Sequence, residues 1–220
     1  MKSRNLLFIA PMVLLAAIIF AMPASADPVM VNDGDQLLFV GQISGHSPQG
    51  GAFLFTDVTQ GFSFYTFCVE MAEHIAPGVT YYAKVNLGAV SGGTEIPDDG
   101  IPNYDGLDSK TAFIYQEWRN GNLGDFSQTE IQNVIWYIED VAGGITAHEQ
   151  ELLDLAANAS GLYNVWVLNL YTTNTPGSVL QLSGNAQDVL YTPVPEPSTI
   201  LLLGVGLAGI GMIARKRSKK

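Results

Sequence analysis

The chain has 220 residues, 47% of them hydrophobic, with one cysteine and a formal net charge of −11. That length allows one domain with a real core, and the acidity disfavours nucleic acid and anionic lipid as partners. A single cysteine also excludes a disulfide within the chain.

Met1-Lys2-Ser3-Arg4 precedes an apolar stretch from Leu6 to Phe20 and then Ala24-Ser25-Ala26. A basic start, a greasy middle and a small-x-small end are the order of a signal peptide, here residues 1–26, with the mature chain starting at Asp27. From residue 27 to 194 the only basic side chains are Lys84, Lys110 and Arg119, against twenty acidic ones, a formal charge of −17. Such a surface suits a soluble extracellular protein or one that binds divalent cations.

From Val29 to about Leu87, the runs "QLLFVGQ", "GAFLFTDV", "FSFYTFCVEM" and "TYYAKVNL" are aromatic and β-branched, separated by Gly, Pro, Ser and Asp. They predict an antiparallel sheet. Residues 91–108, "SGGTEIPDDGIPNYDGLD", are a polar loop of turn formers. Asp98, Asp99, Asp105 and Asp108 gather hard oxygen ligands there, yet without the alternation of an EF-hand loop, so a solvated acidic turn is the expectation and no metal site is assigned.

Residues 109–119 predict a short helix ending near Asn120-Gly121. Ser127 and Glu130 form a capping box ahead of a helix to about Ala142, stopped by Gly143-Gly144. Thr146 and Glu149 repeat that signal before "AHEQELLDLAANAS", and strands return in "YNVWVLNLYT", "SVLQLS" and "DVLYT". The expected fold class is α+β, an antiparallel β-sandwich or barrel with a three-helix insert. One domain, residues 27–193, holds all of it.

The C-terminal segment, residues 194–220, runs Val194-Pro195-Glu196-Pro197, an apolar stretch from Ile200 to Ala214, then Arg215-Lys216-Arg217-Ser218-Lys219-Lys220. This order resembles the PEP-CTERM sorting signal, whose Pro-Glu-Pro core, transmembrane helix and basic tail are read by an exosortase, a membrane transpeptidase of Gram-negative bacteria. The apolar stretch is short for a span and contains four glycines, while its basic tail should stay cytoplasmic. The resemblance implies export, a membrane anchor through the C-terminal helix before processing, and placement at the cell surface or in extracellular polymer.

Cys68 admits four readings: an inert core thiol, an intermolecular disulfide, a catalytic nucleophile, or a thiol consumed in an internal crosslink. In an extended strand, Tyr65, Phe67, Val69 and Met71 share one face, and Phe64, Thr66, Cys68 and Glu70 share the other. The first face reads as the better core, which leaves Cys68 on a mixed face that another element must cover. The helix from 128 offers such cover: Ile131, Val134, Ile135, Ile138 and Ala142 form its apolar stripe, with Gln132 at the edge and Trp136 one turn beyond. A glutamine beside a core stripe is commonly only a boundary residue. A cysteine hydrolase would need a histidine base, and His46, His74 and His148 form no Cys-His motif, so an enzyme is not expected.

"TFCVE", followed by "EIQNVIWYIED", is similar to the thioester domain of bacterial surface adhesins, with "KTAFIYQEWRNGNL" resembling the helix that leads into the second motif. The likeness covers roughly residues 35 to 160, with Val134 in place of the usual alanine and Phe67 where tyrosine is common. It implies a bond between Cys68 and Gln132, flanked by Phe67 and Glu70 and kept from water by Phe64 and Trp136. A thiolate, favoured where surroundings lower the thiol pKa, would displace ammonia from the Gln132 amide. A lysine amine on a surface or matrix partner would then displace Cys68 and leave an isopeptide, with no cofactor required. The alternative is a noncovalent structural or matrix protein bearing the same tail and an inert buried cysteine.

Overall fold

A computed structural model describes residues 28–43, 51–71, 73–90, 104–139, 143–175 and 181–194. The expected signal peptide, the Pro-Glu-Pro motif with its apolar helix, Asp98, Asp99 and His46 lie outside the described residues. Val29–Val194 form one unit.

Its main layer is a six-stranded antiparallel sheet in the order β3-β2-β1-β4-β7-β8. The strands are β1 Gln36–Gln42, β2 Phe53–Asp57, β3 Phe62–Thr66, β4 Thr80–Asn86, β7 Trp166–Thr175 and β8 Gln181–Tyr191. A small second sheet pairs β5 Gly88–Val90 with β6 Tyr104–Gly106. Gly88 is required there, because a Cβ would sit 2.1 Å from the Asp105 carbonyl oxygen. The stretch read as "SVLQLS" and "DVLYT" is one strand, β8, within the described residues. Its continuity survives a register shift opposite Leu168 and Leu170, which absorbs Gln187 and Asp188 as a bulge.

Alternation sends Leu37, Phe39, Phe53, Phe55, Phe64, Tyr81, Leu168, Leu170, Val189 and Tyr191 into one buried cluster. Phe39 stacks on Phe55, Phe55 on Phe64, and Phe64 meets the edge of Tyr191 at 5.1 Å. Phe64 and Tyr191 belong to the first and last strands of the sheet, so the sheet is rolled until its edges meet. The expected barrel does not close, however. Among the described residues, the chain beyond β3 pairs its backbone with β8 only through an isolated bridge, Cys68 to Val189.

Three helices cover that seam: α1 Ser109–Arg119, α2 Gln128–Ile138 and α3 Ala147–Leu155. Asp108 caps α1, whose end is closed by Gly121 in the left-handed region at φ 76. Both expected capping boxes are present, Ser127 with Glu130 and Thr146 with Glu149. The third helix stops at Leu155, well short of Ser160, its C-cap at Ala156. Ile131, Val134 and Ile135 of α2 join Ile114, Tyr115, Leu152, Phe67, Val69, Val167 and Leu190 in a second buried cluster between helices and seam.

Candidate functional site at the seam

The mixed face of the Cys68 segment is buried throughout, and the other face only at Phe67 and Val69. Phe64, Thr66, Cys68 and Glu70 are all buried, whereas Tyr65 and Met71, assigned to the better core face, are 42% and 45% exposed. Rolling of the sheet explains the reversal: the mixed face looks into the hollow. The other face is covered only where the helices reach, at Phe67 and Val69.

The Cys68–Val189 bridge fixes where the backbone of Cys68 points. Val69 N–H donates to Asp188 O at 2.9 Å and Leu190 N–H donates to Phe67 O at 3.0 Å. Cys68 is thus in a non-hydrogen-bonded pair, and its own N–H and C=O face away from β8. A neighbouring strand would normally meet them, but the β2–β3 ladder has ended at Phe53–Thr66. The Gln132 side chain takes that place. Cys68 N–H donates to Gln132 Oε1 at 2.9 Å, and Gln132 Nε2 donates to Cys68 O at 2.8 Å, both buried. One turn earlier, Gln128 Oε1 accepts from Ala52 N–H at 3.3 Å, just before β2 begins. Two glutamines at i and i+4 therefore complete backbone hydrogen bonding where the ladder stops.

Phe64 and Trp136 share the buried cluster of Cys68. The Trp136 indole N–H has no hydrogen-bond partner among the described residues. Phe67 lies in the other cluster and meets Trp118 edge-on at 4.7 Å, so it backs the cysteine strand from the helix side.

Glu70 belongs to a group the sequence reading did not assemble. Carboxylate oxygens of Glu70, Glu73 and Asp188 lie within 4.8 Å of one another, close enough to share protons or a cation. Asp188 Oδ2 accepts from Val90 N–H at 2.7 Å. Burial, then the charge of Glu70, pushes Asp188 well above the usual carboxylate range. Glu73, half-buried, is raised to about 7 by burial and then by Glu70. The only hint in the sequence was one charged side chain, Asp188, in the otherwise uncharged strand Gln181–Tyr191. Of the acidic-loop candidates, Asp105 lies in β6 and Asp108 serves as the α1 cap.

The expected thiolate is corrected by its surroundings. Burial, then the charges of Asp188 and Glu70, push the Cys68 thiol well above its ordinary value. At neutral pH the sulfur keeps its proton, and any attack must remove that proton as it occurs. Of the described histidines, His74 is exposed and His148 is paired with Glu130 at 2.7 Å.

No helix among the described residues is long and apolar enough to cross a membrane. No curated protein matches the chain. Nor does any solved structure. Residues 193–217 match the PEP-CTERM protein-sorting motif, and this supports an exported protein that is a substrate of exosortase.

Proposed function

We propose that the exported chain forms an internal thioester between Cys68 Sγ and Gln132 Cδ, and that an amine on a surface or extracellular-polymer partner then displaces Cys68. The paired hydrogen bonds between Gln132 and the Cys68 backbone carry this reading, because they hold the glutamine amide against the one residue able to attack it. Oε1 already accepts the Cys68 N–H, so a donor stands where negative charge would gather as Cδ becomes tetrahedral. Phe64 and Trp136 in the same cluster keep water from the acyl group until a partner arrives. The likeness of "TFCVE" and "EIQNVIWYIED" to adhesin thioester domains supports the same chemistry. Each chain acts once and is consumed, so this is an acylating binder rather than an enzyme.

The sorting motif supports export and exosortase processing of a membrane-held precursor, and the setting proposed on that basis is a Gram-negative cell surface or extracellular polymer. A second reading has its own observation. The same two hydrogen bonds also satisfy a buried backbone pair, a sufficient structural task for Gln132 with Cys68 remaining an inert thiol.

Intact mass after treatment with methylamine separates the two. The thioester protein is lighter than its sequence by one ammonia, gains one methylamine at Gln132 and releases one titratable thiol. A full-mass protein with a thiol titratable on denaturation before any treatment overturns the thioester.

A further inference from the structure

A buried, protonated thiol whose own backbone holds an amide cannot react with it unless something moves two protons, one off sulfur and one onto the departing nitrogen. Resting on the thioester reading, we infer that Asp188, acting within the Glu70–Glu73–Asp188 cluster, carries the proton from Cys68 Sγ to the Gln132 amide nitrogen as the bond closes.

Asp188 is placed for this by the fold. Its carbonyl receives Val69 N–H and its neighbour Val189 is the bridge partner of Cys68, so the two residues are locked across the seam. Its carboxylate is held by Val90 N–H at 2.7 Å. Glu70 follows Cys68 by two residues, on the same face of the strand, and carries the cluster back to the cysteine segment. Gln187 Nε2 donates to the Glu70 carbonyl and fastens the two segments together. Three carboxylates within 4.8 Å cannot all be charged, so the cluster holds a shared proton while keeping at least one oxygen able to accept another. Glu73, only half-buried, links that shared proton to water. Glu70 and Glu73 are thus the acidic neighbours of Asp188, and the Tyr171 hydroxyl feels the charges of both Asp188 and Glu73.

The step balances without a further reagent. With the cluster's shared proton resting on Glu73, Asp188 takes the Sγ proton while the sulfur electron pair forms the Sγ–Cδ bond, and the carbonyl π pair moves onto Oε1, which the Cys68 N–H stabilises. The Oε1 pair then returns, the Cδ–Nε2 bond breaks, and Nε2 leaves with the proton from Asp188 as ammonia. Asp188 ends as it began.

The test follows the full chain made by cell-free synthesis, reading intact mass against time over a range of pH. Asp188→Asn keeps the shape and an acceptor for Val90 N–H, and Glu70→Gln keeps the length. Both should close the thioester at least about 100-fold more slowly than the wild type. The wild-type rate should fall on acidification as the cluster fills with protons, and Asp188→Asn should lose that limb. A structural role would not move this profile. Variants that close at the wild-type rate overturn the inference and leave the thioester standing. A wild type that never loses ammonia overturns both. Should the variants fail to fold, a wild-type rate with no acid limb overturns the inference.

Discussion

The hollow of the sheet and its seam bury their side chains in opposite ways. In the hollow, Phe39, Phe55, Phe64 and Tyr191 meet ring to ring, and the ladders of β1 to β4 satisfy the backbone. At the seam the ladder gives out, and the side chains of Gln132, Gln128, Asp188 and Thr66 stand in for it, Thr66 Oγ1 donating to the Leu190 carbonyl. Apolar packing tolerates repacking, whereas a buried polar set is costly unless every member is matched. A seam closed by side chains therefore fixes a few groups in one arrangement, which is what a reaction between two side chains needs and what a core does not.

With the crosslink set aside, the largest expected effect tests the hollow. Phe55→Ala removes a fully buried ring from the stacked row and should cost about 4 kcal/mol in urea denaturation. A cost near 1 kcal/mol would mean that the rolled sheet collapses around the gap and that the hollow is not tightly packed.

At the seam, Gln132→Ala strips both backbone groups of Cys68 of their partner and should cost about 3 kcal/mol by the same measurement, before any loss of the crosslink is added. Cys68→Ala sharpens the comparison, since those hydrogen bonds go to the backbone and survive the substitution. With an inert thiol it should cost only about 1 kcal/mol of lost burial. With a thioester joining residues 64 apart, loss of the crosslink adds about 4 kcal/mol, by analogy with a disulfide closing a loop of that length. Near-equal stability of Cys68→Ala and wild type would remove the crosslink.

Much of the hollow was legible in the sequence, because the aromatic and aliphatic runs "QLLFVGQ" and "GAFLFTDV", with Leu37 and Phe39 and then Phe53 and Phe55 two residues apart, report a local property of each strand. The helices were legible too, through Ser127 with Glu130 and Thr146 with Glu149, since a cap is written within four residues. Gln132 and Trp136 could be placed on one flank of their helix by counting angles. Which face of the Cys68 strand is inside could not be read, because that depends on how far the whole sheet rolls. For the same reason Tyr65 and Met71 looked like core and are exposed, and Asp188, 120 residues beyond Cys68, gave no local sign of standing beside it.

Glu139 extends the polar region to the C-terminus of α2, where its carboxyl accepts from Asp108 N–H at 3.4 Å. Burial first, and then the nearby Asp105 charge, raise it to about 8 from an ordinary 4.5. The folded chain then holds a proton that the unfolded chain releases between those values. Stability should fall as pH rises from about 4.5 to about 8, and Glu139→Gln should flatten that fall, gaining on the order of 2 kcal/mol near the upper end. An unchanged pH profile would show that Glu139 is charged in the fold.

The smallest effect concerns the outer side of α2, where His148 Nδ1 meets Glu130 Oε1 at 2.7 Å and Phe126 stacks on the imidazole. The His148 and Ser127 hydrogen bonds lower Glu130 to about 2, so its contribution is present above the unfolded value of 4.5 and is lost as pH falls towards 2. The Glu130 hydrogen bond raises His148 above 6.5, so its contribution is full below 6.5 and is lost as pH rises through the raised value. The pair thus acts fully between about 4.5 and 6.5. Being exposed to solvent, it should matter little, and His148→Gln should lower Tm slightly in that window and less at alkaline pH. Because Glu130 also caps the helix that carries Gln132, the same variant asks whether the seam depends on its outer support. A drop in Tm as large as that of Gln132→Ala would mean that the position of α2 is set by this surface pair rather than by the glutamines docked in the seam.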